Sequence, residues 1–237
     1  MASAELILVL IGLFAIASLY STVGHGGGSG YLAVLSLTSY ATAQAIWLKQ
    51  YAWTLNLIVA GLAFWHYSRA GHHDSRLTLP FVCASVPLAA LGGYARVEGE
   101  VYDALLAVAL ATAAWRLVSG SPGVGQVSRP DVARSAAVGG AIGLASGVIG
   151  IGGGIFLSPV LMLNRWANAK EAAATAALFI WLNSLAGLAG AGLAGRLDME
   201  AGLLLPFAGA VLLGGVVGSR YGSQVSSQRG VRGLLVS

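Results

Sequence analysis

Two glycine-rich segments in this chain have a composition and spacing that could do chemistry. Residues 24–28 read Gly-His-Gly-Gly-Gly and residues 150–154 read Gly-Ile-Gly-Gly-Gly, 126 residues apart. Adjacent glycines favour a break in a helix, because glycine reaches positive φ at little cost. A helix that restarts after such a break presents unpaired N–H groups and a partial positive charge, which suit an anion. We therefore predict two broken helices whose restarted ends face an anionic ligand.

Lys49 is a charged residue inside a long apolar stretch. A buried cation of this kind normally faces a cavity or a partner, because it costs about 2.5–3.5 kcal/mol at the centre of a membrane helix. Lys49, Trp53 and Asn56 are spaced i, i+4 and i+7, so they share one helix face. Thr175 and Asn183 occupy corresponding positions of a second apolar stretch. A cation, two amides, a hydroxyl and backbone N–H groups would suit a tetrahedral or pyramidal oxyanion.

A second interpretation of the same residues stays open. Lys49 can extend towards lipid headgroups, and the two asparagines can join helices by hydrogen bonds without touching a ligand. His25 can be a packed histidine or a group that carries a coupling proton. The predicted substrate-binding residues are Gly24, His25, Gly26, Gly27, Gly28, Lys49, Trp53, Asn56, Gly150, Gly152, Gly153, Gly154, Thr175 and Asn183.

No cofactor or metal site is predicted. The one cysteine, Cys83, excludes a cysteine cluster, and its apolar surroundings predict a buried thiol. His66, His72 and His73 lack the spacing of metal ligands and are expected at a solvated edge. Lys and Arg are scattered singly, so nucleic acid is not a predicted partner.

The composition predicts a membrane protein. Of the 237 residues, 57% are hydrophobic and only 9% are charged, whereas soluble proteins carry about 25% charged residues. The 34 glycines lie among Leu, Ala and Val, which argues against disorder. Small residues inside apolar helices let neighbouring backbones approach closely.

The elements that must position these residues follow from hydropathy, since a spanning helix needs about 20 mostly apolar residues. Long apolar stretches run near 5–23, 42–66, 77–96, 101–118, 135–150, 170–194 and 201–219, and shorter ones cover 29–39 and 153–164. The predicted fold is an all-α polytopic membrane protein with about eight to ten membrane helices, two of them short segments that follow the glycine-rich motifs.

The two halves of the chain repeat each other. Leu-Pro-Phe recurs at 79–81 and 205–207 with the 126-residue offset of the glycine segments, and Leu-Asn recurs at 55–56 and 182–183. We therefore predict a first transmembrane repeat over 1–118, a cytoplasmic linker over 119–134 and a second repeat over 135–237 whose last helix is incomplete.

Charge placement predicts that the repeats are inverted. If each half makes five passes, only Arg96 and Arg196 among the loop cations fall on one side. The other side holds ten, which are Arg69, Arg76, Arg116, Arg129, Arg134, Arg165, Lys170, Arg220, Arg229 and Arg232. Because Lys and Arg accumulate in cytoplasmic loops, the linker is expected inside and the N-terminus outside.

The sequence resembles the TauE/SafE family of sulfite and organosulfonate exporters. Residues 146–161, SGVIGIGGGIFLSPVL, resemble its glycine-rich signature, residues 172–178 resemble the run that follows, and residues 21–35 resemble its degenerate first-half copy. His25 and Ala33 depart from the family pattern. The resemblance implies transport of a small sulfur-containing anion across the bacterial inner membrane. The expected partners are that anion, the lipid bilayer and possible further copies of the chain.

Two other functions remain as alternatives. Gly27-Gly28-Ser29-Gly30 matches the short motif of an intramembrane serine protease, which needs a histidine on a later span as its base. The later histidines all fall at a predicted edge, and Ile155 replaces Ser29 in the second half. A membrane scaffold without transport would leave the paired glycine breaks unexplained.

Overall fold

The structure, a computed structural model, describes residues 3–42, 44–119 and 127–225. These residues form nine α-helices and no strand. In chain order the helices are α1 (Ser3–Thr22), α2 (Gly28–Ser36), α3 (Ala45–Arg69), α4 (Ser75–Tyr94), α5 (Gly99–Ser119), α6 (Val132–Ile149), α7 (Gly154–Leu163), α8 (Ala169–Leu193) and α9 (Ala201–Arg220). The all-α prediction is confirmed, and the predicted incomplete last helix lies outside the described residues.

The burial pattern is that of a membrane protein. By length and composition α1, α4, α6, α8 and α9 are each able to cross a bilayer. Large apolar side chains such as Leu8 and Leu205 point outwards with about 70% of their surface exposed (69% and 71%), while Asn56 and Asn183 are fully buried. This reverses the arrangement of a soluble protein. Cys83, expected to be buried, is exposed, because it lies on the outward face of α4.

Side-chain caps start several of these helices. The Asp74 carboxylate accepts a hydrogen bond from the Arg76 backbone N–H at the start of α4, and Asp131 accepts one from Arg134 at the start of α6. Asn168 and Glu171 form a reciprocal capping box at the start of α8. Short polar residues thus cap the starts of α4, α6 and α8, which lie on the same side of the molecule.

The first four helices of the chain, α1–α4, and the four described helices of the second half, α6–α9, follow the same order of long, short, long and long, and the two halves interlock. Helix α4 packs along α6 and α8, α9 packs along α1 and α3, and the 25-residue helices α3 and α8 cross each other. Bonds between Gln50 and Asp198 put the start of α3 beside the end of α8, so these two helices run in opposite directions. An inverted repeat requires this arrangement. The repeats themselves and their orientation in the bilayer stay predictions.

Candidate substrate site

The first glycine break, residues 24–28, separates α1 from α2. Gly24 and Gly27 have φ values of 77° and 95°, which other residues rarely adopt. The backbone N–H of His25 still donates to the Tyr20 carbonyl at 2.9 Å. Gly27 is the N-cap of α2 and has no side chain with which to satisfy the N–H groups of the first turn.

The second glycine break, residues 150–154, separates α6 from α7 in the same way. Gly150 ends α6 with a φ of 95°, and Gly153 precedes α7 with a φ of 84°. Gly153 is again an N-cap without a side chain. Two short helices therefore begin with unsatisfied N–H groups and the positive end of a helix dipole.

The two breaks meet at the middle of α3 and α8. The side chain of Asn56 contacts Gly26, Gly28 and Gly152 so closely that a Cβ on Gly28 would lie 2.6 Å from Asn56 Nδ2. The same Cβ would lie 3.1 Å from the carbonyl oxygen of Ile151. Because Ile151 belongs to the second break, the backbones of the two glycine segments are in contact. A side chain on Gly28 would not fit between them.

Ile180, in the middle of α8, packs against the breaks from the other side. Its side chain lies where Cβ atoms on Gly26, Gly152 or Gly154 would be. The centre is thus closed by an amide from α3 and an isoleucine from α8.

Several buried polar side-chain atoms without partners lie on the helices that form this centre. Asn56 Nδ2 donates to Ser184 Oγ at 3.3 Å, but Asn56 Oδ1 has no hydrogen-bond partner among the described residues. Among the described residues, the hydroxyls of Tyr31 and Ser146, which border Gly27 and Gly153, have none either. The same holds for both amide atoms of Asn183 on α8 and for the Ser158 hydroxyl on α7. Each such group costs about 1–3 kcal/mol unless a ligand or water satisfies it. These atoms are therefore available to a ligand or to water.

His25 connects the two breaks. Its ring lies against the backbone of Gly154, with Cδ2 3.3 Å from the position of a Cβ on that glycine. Nδ1 lies 3.1 Å from the Val23 carbonyl oxygen, and Tyr20 packs edge-on against the ring. The imidazole is buried and stands next to the first turn of α7, where a ligand held by that turn would meet it.

Lys49 touches Gly150 of the second break with its stem, but its ammonium lies outside the centre. It is seven residues before Asn56 on α3, which places it about 10 Å further along the axis. Its ammonium is buried, donates to the carbonyls of Val148 at 3.3 Å and Val97 at 3.5 Å, and sits 5.1 Å from the Tyr102 ring centroid. Val148 belongs to the last turn of α6, whose free carbonyls attract a cation. Lys49 therefore stabilises a helix end and does not reach headgroups.

Other predicted residues are also placed outside the centre. Trp53 packs against Gly187, Ile46 and Ala191. The Thr175 hydroxyl pairs with that of Thr78 at 3.1 Å. The structure brings together His25, Asn56 and the glycines of both breaks, together with Ile180 and Ser184, which sequence reasoning missed. The only signal for Ser184 was its position beside Asn183, one turn after Ile180.

Ser29, the candidate protease nucleophile, has a phenol as its partner. Its Oγ donates to the Tyr20 hydroxyl at 3.3 Å. The nearest histidine along the chain, His25, directs Nδ1 to the Val23 carbonyl. This geometry gives no support to an activated serine, which requires a base on its hydroxyl.

Comparison with known proteins decides the family. The family model for the sulfite exporter TauE/SafE matches residues 8–237. The chain belongs to the TauE/SafE family. It is also 30% identical over 236 residues to a probable membrane transporter protein, y4hK, of Sinorhizobium fredii (strain NBRC 101917 / NGR234), with 98% of this chain and 94% of that protein covered. No solved structure matches the chain.

Membership of the TauE/SafE family covers both glycine breaks, since the matched residues include 24–28 and 150–154. The chain is therefore a multi-pass membrane transporter of this family. Its central cluster of unpaired polar atoms is the candidate substrate site.

Proposed function

We propose that this protein carries small sulfur-containing anions, such as sulfite or organosulfonates, out of the cell across the bacterial inner membrane. The observation that carries the proposal is the convergence of two uncapped helix starts around the side chain of Asn56. Each helix start contributes about half a positive charge and several N–H donors. An oxyanion placed there exchanges its hydration shell for these donors without a formal cation beside it.

Alternating access would use the interlocked halves. On the side of the α3–α4 loop, Arg129 forms ion pairs of 3.0 Å with both Asp74 and Glu171, which joins α4 to α8. On the opposite side, Gln50 and Tyr51 of α3 bind the backbone of Asp198 and Glu200. Opening either set of contacts would expose the centre to one side while the other stays closed.

The proposal is tested in proteoliposomes loaded with sulfite. Replacing Asn183, whose amide has no partner, removes no hydrogen bond seen in the structure. We expect Asn183→Ala to lower sulfite efflux at least tenfold with little change in melting temperature, and Asn56→Ala to act in the same direction. Asn164→Ala is the matched control, because this asparagine is exposed and caps the end of α7. Efflux by Asn183→Ala equal to that of the control would contradict the proposal.

A further inference from the structure

A cleft of about 440 Å³ lies outside the glycine breaks, at the end of the molecule where α3 begins. It is lined by the first turns of α3 and by the loops that follow α4 and α8. We call it the outer cleft. Its charged residues are Arg96, Glu98, Arg196 and Asp198. The distribution of Lys and Arg among the loops predicts that Arg96 and Arg196 are the two loop cations on the outer side of the membrane. The structure places both of them at one cavity.

The two arginines are held differently. The Arg196 guanidinium donates to the carbonyls of Gly93 (3.3 Å), Tyr94 and Ala95 (3.5 Å), which are the free carbonyls at the end of α4. This fixes the group at the wall of the cleft. Arg96 has fewer contacts by comparison, because its side chain is 76% exposed and is held by an ion pair with Glu98 at 3.3 Å. Such a pair contributes at most about 1 kcal/mol, so Arg96 can exchange Glu98 for another anion.

Further positive charge lies behind and beside the arginines. The Lys49 ammonium binds the Val97 carbonyl, between Arg96 and Glu98 in the chain, and interacts with the charges of Arg196 and Glu98. The start of α3 adds its dipole, since its N-cap residue Gln44 lines the cleft and makes no side-chain capping bond. The corresponding start of α8 is closed by the capping box of Asn168. Of the starts of α3 and α8, the one without a side-chain cap, that of α3, faces the cleft.

A residue behind the cleft also contacts the second glycine break. The stem of Lys49 lies against Gly150, with Cγ 2.6 Å from the position of a Cβ there. Lys49 therefore contacts both the loop at the cleft and the second glycine break.

We propose that the outer cleft is a second anion-binding site, which takes a small oxyanion of the sulfite or sulfonate class between Arg96 and Arg196. The planar guanidinium groups match the oxygen spacing of such an anion, and Glu98 competes with it for Arg96. The inference rests on the proposed function in one respect, which is that the ligand is a sulfur-containing anion. Binding in the cleft requires no transport.

Isothermal titration of the full chain in nanodiscs with sodium sulfite, and separately with sodium methanesulfonate, tests the proposal. We expect two sites per chain in the wild type. Arg96→Gln should weaken one of them about tenfold, the effect of losing one charged hydrogen-bond donor. Glu98→Gln should strengthen the same site several-fold, a gain that a folding defect cannot produce. Arg69→Gln is the control, because that arginine lies at the other end of α3 over Trp65.

The result separates this inference from the proposed function. Asn183→Ala should abolish the other site and leave the site sensitive to Arg96 intact. A single site that is lost in Asn183→Ala and unchanged by Arg96→Gln and Glu98→Gln would overturn the outer cleft and leave the central site standing. A single site that is unchanged in Asn183→Ala but altered by Arg96→Gln and Glu98→Gln would overturn the central site and support the outer cleft.

Discussion

The side-chain amide of Asn56 donates to Ser184 Oγ at 3.3 Å and joins the middle of α3 to the middle of α8. The bond crosses between the two halves where both glycine breaks meet. It leaves Asn56 Oδ1 without a partner among the described residues, so the amide is only half satisfied in this state. A hydrogen bond of this kind holds two helices together. The free Oδ1 can still accept a hydrogen bond from a ligand or from water.

The glycines around Asn56 are expected to tolerate no side chain. A Cβ on Gly28 or Gly152 would lie 2.6 or 2.8 Å from Asn56 Nδ2. Gly28→Ala and Gly152→Ala should each lose about 1–3 kcal/mol of unfolding free energy and most transport, because the amide must move. Gly209→Ala is the control, since nothing lies within 4 Å of its Cβ position. Denaturation in detergent and sulfite efflux measure both effects, and equal behaviour of the three variants would contradict the packing.

Lys49 is expected to act on stability. Lys49→Met keeps the length of the side chain but leaves the carbonyls of Val97 and Val148 without their cation. The loss should be about 1.5–3 kcal/mol of unfolding free energy, the range of a charged hydrogen bond. Chemical denaturation in detergent measures it. Unchanged stability together with lost sulfite efflux would instead place Lys49 on the substrate.

Arg129 is expected to hold one side of the molecule closed. Arg129→Gln removes the ion pairs with Asp74 and Glu171 that join α4 to α8. In a Cys83→Ser background, a cysteine introduced by Ser158→Cys in α7 should then react several-fold faster with a membrane-impermeant thiol reagent added on the side where Arg129 lies. Arg134→Gln is the control, because Arg134 pairs only locally with Asp131, three residues away. No change in labelling rate would refute this role.

The hydroxyl pair of Thr78 and Thr175 is expected to be structural. Both residues are fully buried, and their oxygens are 3.1 Å apart. Thr78→Val and Thr175→Val should each cost about 0.5–1.5 kcal/mol, and the double variant should cost less than their sum because the interaction is lost once. Sulfite efflux by the folded variants should stay near wild type. A large drop in efflux for Thr175→Val alone would return Thr175 to the substrate site.

The positions of the helix breaks could be predicted because the cause is local. Three adjacent glycines favour a break wherever they occur in an apolar run, and the structure ends α1 and α6 at such runs. The apolar stretch over 42–66 correctly placed Lys49 and Asn56 on one helix. Local sequence could not reveal that Ile180 of α8 contacts the glycines of both breaks.

The sequence by itself determined the class of the protein, because hydropathy and charge content act along the chain without reference to distant partners. It also determined where the helices break. Only the tertiary structure decided what each polar residue does. Lys49 meets carbonyls 48 and 99 residues away, whereas Asn56 meets Ser184 at a separation of 128 residues. Such partners depend on how α3, α6 and α8 cross, which no local spacing encodes.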